Sequence, residues 1–256
     1  MRTSQSNDNP QGPDLAFLLT QRPGAPSSQA IVNEAQRIGI WLQPEQSGKD
    51  GIITFRLGSG ATVIVAAMDA PHPDVQFLLG GYTAPTRDDA LACASHAIVT
   101  AMGLTGTVLE RDRQMAALTG CVVRAGSAVA AMLGHGASFH NGKVFADFAE
   151  LGMKQGRISI EIAIDVTFAR ESGTHVSMLT HGMPRYGRED FLMTCRNEDR
   201  ESIYFLYDLI RWMLYEPTKE LPTGDTLGRT AAEKLRVQRQ PSPIDPARTV
   251  IRLDMP

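Results

Sequence analysis

Within eleven residues, Thr180-His181-Gly182-Met183-Pro184-Arg185-Tyr186-Gly187-Arg188-Glu189-Asp190, the chain gathers an imidazole, two guanidinium groups, a phenol and two carboxylates. Such a set can move protons at neutral pH or hold a polar partner through charge-assisted hydrogen bonds. Asp165 precedes it on a segment whose polar positions alternate with isoleucines. Two uses are open. Asp165, His181, Arg185 and Glu189 could form the acid-base site of an enzyme whose reaction the sequence does not name. Alternatively, Thr180, His181, Arg185, Tyr186, Arg188 and Glu189 could form a binding surface with no chemistry. Downstream, Tyr204 and Tyr207 fall away from the face set by Phe205, Leu209, Trp212 and Met213, and tyrosine suits contact surfaces because it joins apolar area to a polar tip.

The other chemistry-bearing residues are weaker. Gly134-His135-Gly136 has phenylalanine at the third glycine position and no following lysine, so it is not a phosphate-binding loop. The histidines are scattered without a ligand-type spacing, so no metal is expected. No cofactor motif is present. Ser59 and Ser172 lie in serine-glycine turns rather than a nucleophile elbow. Cys93, Cys121 and Cys195 are odd in number and widely separated, which predicts buried thiols rather than a disulfide framework. The missing catalytic set favours a non-catalytic binding protein, with the enzyme reading as the alternative.

Composition narrows the partners. The 256 residues carry a formal net charge of −3, with 43% hydrophobic and 21% charged residues, an ordinary globular balance. The arginines alternate with acids, as in RNEDRE (196–201), so no basic face for nucleic acid is predicted. The start, MRTSQSNDNPQGPD, lacks the layout of a signal peptide, and no apolar run approaches the ~20 residues that cross a bilayer. A cytoplasmic protein without a membrane partner is expected.

The elements that must position these residues follow a repeat. TFRLGSGATV (54–63) and TFARESGTHV (167–176) share the pattern TFxxxSGxxV at an offset of 113 residues. The same offset pairs IVNEAQRIGI (31–40) with VFADFAELGM (144–153) and Pro71 with Pro184. Hydrophobic periodicity predicts strand 15–20, a helix from Ser27 or Ser28 to about Ile40, and a hairpin of GIITFRL and ATVIVAAM around Gly58-Ser59-Gly60. A helix at 86–94, a strand at 96–102 and a helix at 111–126 complete the first half. The second half reads as strand AVAAML, helix 141–152, a long half-solvated strand over 158–169, strands 174–182 and 191–195, and helix 198–216. The expected fold is α+β: a tandem duplication of a ferredoxin-like β-α-β-β-(α)-β-α unit with a C-terminal extension. Residues 1–14 read as a disordered tail, 15–126 and 127–216 as the two repeats, and 217–256 as an extension packed on the body through Leu227, Leu235, Val237, Val250, Ile251 and Leu253. TAAEKLRV within it reads as a short helix.

The second half and tail resemble the bacterial DUF4261 family of unknown function. THGMPRYGRED (180–190) matches its Thr-x-Gly-Met/Leu-x-x-Phe/Tyr-Gly-x-x-Glu/Asp element, and GDTLGRTAAEKLRV (224–237) its Gly-Asp-Thr-Ile/Leu-Gly segment. HPD (72–74) and the HAIVT strand fall where first-half features belong, although an expected tryptophan between HPD and His96 is missing. The resemblance implies no activity. It implies an accessory role, as an immunity or adaptor protein of a secretion or toxin locus whose partner is another bacterial protein.

Overall fold

The computed structural model describes residues 14–47, 51–216 and 218–255. The expected tail therefore lies outside the described residues except for Asp14, which opens strand β1 (Asp14–Thr20). Ser27 accepts the Ala30 N–H and starts helix α1 (Ser28–Arg37), which buries Ile31, Val32 and Ala35. Next come β2 (Leu42–Ser47), β3 (Ile52–Leu57), β4 (Thr62–Met68), the short α2 (Arg87–Leu91) and β5 (Ser95–Met102). A Thr107–Glu110 capping box then opens α3 (Val108–Gly126). The chain continues through β6 (Ala130–Leu133), β7 (His140–Asn141), α4 (Gly142–Gln155), α5 (Ile160–Ala163), β8 (Asp165–Arg170), β9 (His175–His181), β10 (Asp190–Arg196) and α6 (Glu201–Tyr215). It ends with β11 (Thr226–Leu227), β12 (Leu235–Arg236), β13 (Gln238–Pro241) and β14 (Thr249–Asp254).

The result is an α+β protein. One seven-stranded sheet has the order β2-β3-β4-β5-β1-β6-β7 and is antiparallel throughout. A second has the order β13-β14-β10-β9-β8, with β14 parallel to β10. The two hairpins that carry TFxxxSGxxV occupy β3–β4 and β8–β9, and the offset of 113 carries 52–57 onto 165–170 and 62–68 onto 175–181. Their turns differ: Gly60 adopts φ +91°, whereas Gly173 has no positive φ. The sheet neighbours differ as well. β6, first strand of the second half, pairs with β1 in the first sheet, and β14 from the tail lies beside β10.

Two local expectations need correction. The long strand over 158–169 is a helical turn, α5, followed by β8. The alternation predicts one solvated face, but Ser159 and Asp165 are buried along with Ile160, Ile162 and Ala163. Once both sides are enclosed, alternation no longer distinguishes strand from helix, and the Ile164 N–H closes the turn on the Ile160 carbonyl at 2.9 Å. TAAEKLRV is not helical; it forms turns and then β12. β2, with a proline and a bulge between Pro44 and Gln46, is an edge strand too polar to read as one from its sequence.

One continuous core runs from Ala16 through Phe55, Met115, Phe145, Phe191 and Leu206 to Met255. Helix α3 of the first half packs along α4 of the second, and Gly120 lets Ala149 approach closely, since a Cβ there would lie 3.1 Å from it. In the tail, Leu235, Val237, Val250, Ile251 and Leu253 are buried, and β14 is a strand of the second sheet. The three cysteines are buried and unpaired. Among the described residues no helix is long and apolar enough to cross a membrane.

Candidate functional site

The polar residues converge at the junction of the two sheets, where the turn after β6 meets the end of β9, the start of β10 and the N-terminal part of α3. Asp112 lies one and two helical turns before Met115, Ala116 and Thr119, so it sits on the buried stripe of α3 and is only 2% exposed. A carboxylate there requires partners. Arg185 supplies two, Nε to Oδ2 at 2.7 Å and Nη2 to Oδ1 at 2.6 Å, and the Tyr186 hydroxyl donates to Oδ2 at 2.8 Å. Arg185 also reaches Asp14 at 3.3 Å, and Arg111 approaches the other oxygen of Asp14 at 3.4 Å. The hydrogen bonds to Asp112 raise the Arg185 pKa, and burial followed by the Asp112 charge holds the Tyr186 phenol well above its ordinary range.

Asp165 is a second buried carboxylate. It accepts the Ala137 N–H and lies 3.3 Å from His140 Nε2, while the other ring nitrogen of His140 pairs with the Thr83 hydroxyl. His135 stands between the two acids. Its Nε2 is 3.9 Å from Asp112, too far for a hydrogen bond, and is buried without a partner. Burial lowers its pKa, opposed by Asp112.

The expected site residues separate in this frame. Asp165 and His181 do face each other across β8 and β9, with His181 Nε2 bonded to the Thr167 hydroxyl at 2.8 Å. Arg185 is instead held by Asp112. Glu189 pairs with Arg239 at 2.8 Å, so the geometry does not assemble the four-residue acid-base set. Thr180 is buried and structural: its hydroxyl donates to Asp190 and accepts the Phe191 N–H. Arg188 donates to the carbonyls of Glu216 and Lys219, anchoring the start of the tail. Tyr207 is 7% exposed and packs in the core, so it is not a contact residue; Tyr204, at 57%, is on the surface. The buried apolar face of α6 comprises Ile203, Leu206, Tyr207, Leu209, Ile210, Met213 and Leu214, so Leu209 and Met213 lie where expected while Trp212, 37% exposed, is turned outward.

Asp112 is not singled out by the sequence, and Asp190 and His135, though present in the polar segment and the glycine turn, belong to neither candidate site there. One signal was present for Asp112, a carboxylate on an otherwise apolar helical stripe; His135 and Asp190 gain their surroundings only from distant strands. A cavity of about 350 Å³ opens beside them, lined by His135, His181, Asp190, Arg248 and the apolar Leu179 and Val250 among others. Burial raises the Asp190 pKa and lowers that of His181. Among the described residues, no group of three His, Cys, Asp or Glu side chains is placed to hold a metal ion.

These histidines set a pH dependence. Burial depresses His72, His135 and His181 below the ordinary 6.5, so the unfolded chain binds their protons more readily. Their contribution to stability is complete above about pH 6.5 and is lost as pH falls through the depressed folded values. Asp190 acts oppositely, as one group against three, because a raised carboxyl stabilises below its unfolded value of 3.8 and stops doing so as pH rises through its folded pKa. Urea denaturation should therefore show a lower midpoint at about pH 5.5 than at about pH 7.5. An unchanged or higher midpoint at the acidic pH would contradict the neutral, buried state of these rings.

No protein-family model matches this chain, and no curated protein and no solved structure matches it either.

Proposed function

We propose that this chain is a non-catalytic binding protein that engages another bacterial protein through the aromatic surface beside β8. The observation that carries this reading is the division of labour among the polar and aromatic groups. The charged side chains of 180–190 hold the fold together, whereas Tyr82 and Phe168, 53% and 43% exposed, lie with ring centroids 6.0 Å apart on the surface. Tyr82 rests on Tyr207 below, and Tyr204 emerges one helical turn away on α6. The outer edge of β8 is paired with no strand among the described residues, apart from one bridge between Gly81 and Thr167. The part of this edge beyond the Thr167 bridge, flanked by aromatics, suits an extended partner segment adding to the sheet.

The motif resemblance to DUF4261 supports an immunity or adaptor role at a secretion or toxin locus, in the cytoplasm and without nucleic acid. The repeat is part of the same reading: we take the halves as a duplicated ferredoxin-like unit whose second copy lent its first strand, β6, to the first sheet. The coincidence of both hairpins at one offset favours it. The enzyme alternative has less support, because Arg185 and Glu189 are held in ion pairs away from the Asp165–His181 pair.

The test is coexpression with the product of the adjacent reading frame and measurement of complex affinity. Tyr82→Ser with Phe168→Ser should weaken it at least about tenfold, in keeping with the loss of aromatic anchors, while His181→Ala leaves it intact. The reverse pattern would move the site to the 180–190 loop and reject the aromatic surface.

A further inference from the structure

We infer that the outer face of the seven-stranded sheet is where two copies of this chain dock, sheet against sheet, into a two-fold dimer. The inner face is fully used: Phe55, Val63, Val65 and Val99 are buried in the core with Ile31 of α1 and Met115 of α3. Side chains alternate across a strand, so the residues between these point the other way. On that side the register sets Ile52, Ala66 and Ile98 in one row, and Ile64 between Thr54 and Thr100 in the next. Leu15 lies opposite Thr100, and Met68 and Met102 continue β4 and β5 on the same side. Trp41 adds a corner: Leu42 and Leu57 turn into the core, and the Trp41 ring lies beside Gly58, where a Cβ would be 3.4 Å away. Leu15, Trp41, Ile52, Met68 and Met102 are 36–59% exposed, so five large apolar side chains share one surface. The segment between β4 and β5 screens the β1 side, where the His72 ring meets Phe17 and His96 edge-on, and leaves these five open.

Scattered apolar side chains are ordinary on a protein surface, but a contiguous patch of this size marks a contact site. Its occupant must be flat, apolar and indifferent to charge, and a second copy is all three. Arg56, the charged residue on the face, is tied to Glu45 at 2.8 Å, so two such faces meet without setting unpaired like charges together. A partner bringing its own charges would find little to pair with them. β-Branched residues on neighbouring strands make a level surface, which suits another sheet ~10 Å away better than a helix seeking a groove. The residues that lead into β1, MRTSQSNDNPQGP, carry a single large apolar side chain, Met1, and so are a poor match. The area is adequate. Four strands at ~4.8 Å, each of about seven residues at ~3.3 Å, span roughly 450 Å² in plan. Side-chain relief raises the accessible area towards the ~800 Å² per partner of a standard interface. Because both copies use the same patch, association closes at two. The contact belongs to the first sheet and the aromatic surface to β8 of the second, so either can hold without the other.

The test is sedimentation velocity of the full chain from about 1 to about 500 μM. A reversible monomer–dimer equilibrium is expected, with a dissociation constant on the order of 1–50 μM for an interface at the lower end of the standard size. It should not weaken between about 0.1 and 0.5 M sodium chloride, because the contact is apolar. Ile52→Lys and Met102→Lys, each made alone, place an ammonium against the apolar face of the other copy and should weaken the dimer by about thirtyfold or more. Both positions are well exposed, at 44% and 45%, so at about 1 μM each variant should keep the circular dichroism and melting temperature of the wild-type monomer. If one of them fails to fold, the other decides. Tyr82→Ser with Phe168→Ser should leave the dimer intact, which separates failure of this contact from failure of the aromatic surface. A wild-type chain that stays monomeric throughout would overturn the inference and give the face to a different protein or to residues 1–13. A dimer that survives the lysine variants, or one lost with Tyr82→Ser and Phe168→Ser, would overturn it by placing the contact elsewhere.

Discussion

Replacing Asp112 with alanine should lower the unfolding free energy by about 3–5 kcal/mol, the range for removing one partner of a buried ion pair. The carboxylate is 2% exposed and receives two bonds from Arg185 and one from Tyr186. Alanine would leave the Tyr186 hydroxyl without an acceptor in a buried setting and deprive a half-buried guanidinium of its main counter-charge. Arg185 would keep only Asp14, at 3.3 Å. In a chain of this size about 2–4 °C accompanies each kcal/mol, so the melting temperature should fall by roughly 6–20 °C. Asp112→Asn keeps the shape and one acceptor oxygen but removes the charge, and should fall between wild type and alanine. Arg185→Lys should also destabilise, because an ammonium cannot make the two-pronged contact with the carboxylate. Thermal denaturation followed by circular dichroism measures all three. A shift below about 2 °C for Asp112→Ala would mean that the cluster does not lock the two halves together.

A loss of similar size is expected at Phe145. This ring is fully buried on α4 and belongs to the core that both halves share. Alanine there removes a large apolar side chain and leaves a cavity that close-packed surroundings fill only in part, a loss of about 3–5 kcal/mol. The informative feature is how the loss is distributed. α4 packs along α3, and β6 is hydrogen-bonded to β1, so the first sheet cannot be complete without second-half residues. Phe145→Ala should therefore lower hydrogen-exchange protection in β1 and β5 as much as in β9 and β10, within a single thermal transition. If protection in β1 and β5 stayed at the wild-type level while β9 and β10 opened, the halves would be independent units and the shared core would not couple them.

What could be read from the sequence was local. Ser27 predicts the start of α1, and strand 96–102 follows from its β-branched residues, because caps, turns and side-chain periodicity depend on near neighbours. The hairpin around Gly60 belongs with them: its turn needs a positive φ, and the apolar alternation on either side is a property of a few residues. The buried cysteines were legible for the same reason. Alternation reports a strand only if one face meets water, and over 158–166 the surrounding chain encloses most of both, so the helical turn there is not legible. Sheet membership also lay beyond the sequence. β6 pairs with β1 and β14 with β10 through backbone hydrogen bonds that any residue can make, and the choice follows from how the cores join. The polar loop shows the division most clearly. Its residue types announced that 180–190 would be charged and hydrogen-bonded, but Arg185 and Tyr186 meet Asp112 across more than seventy residues of chain. That meeting places Arg185 and Tyr186 in a cluster with a buried carboxylate, beside a small cavity lined by His181 and Asp190. Only tertiary packing determines which charges are desolvated together, and so which side chains hold the fold and which remain available to a ligand.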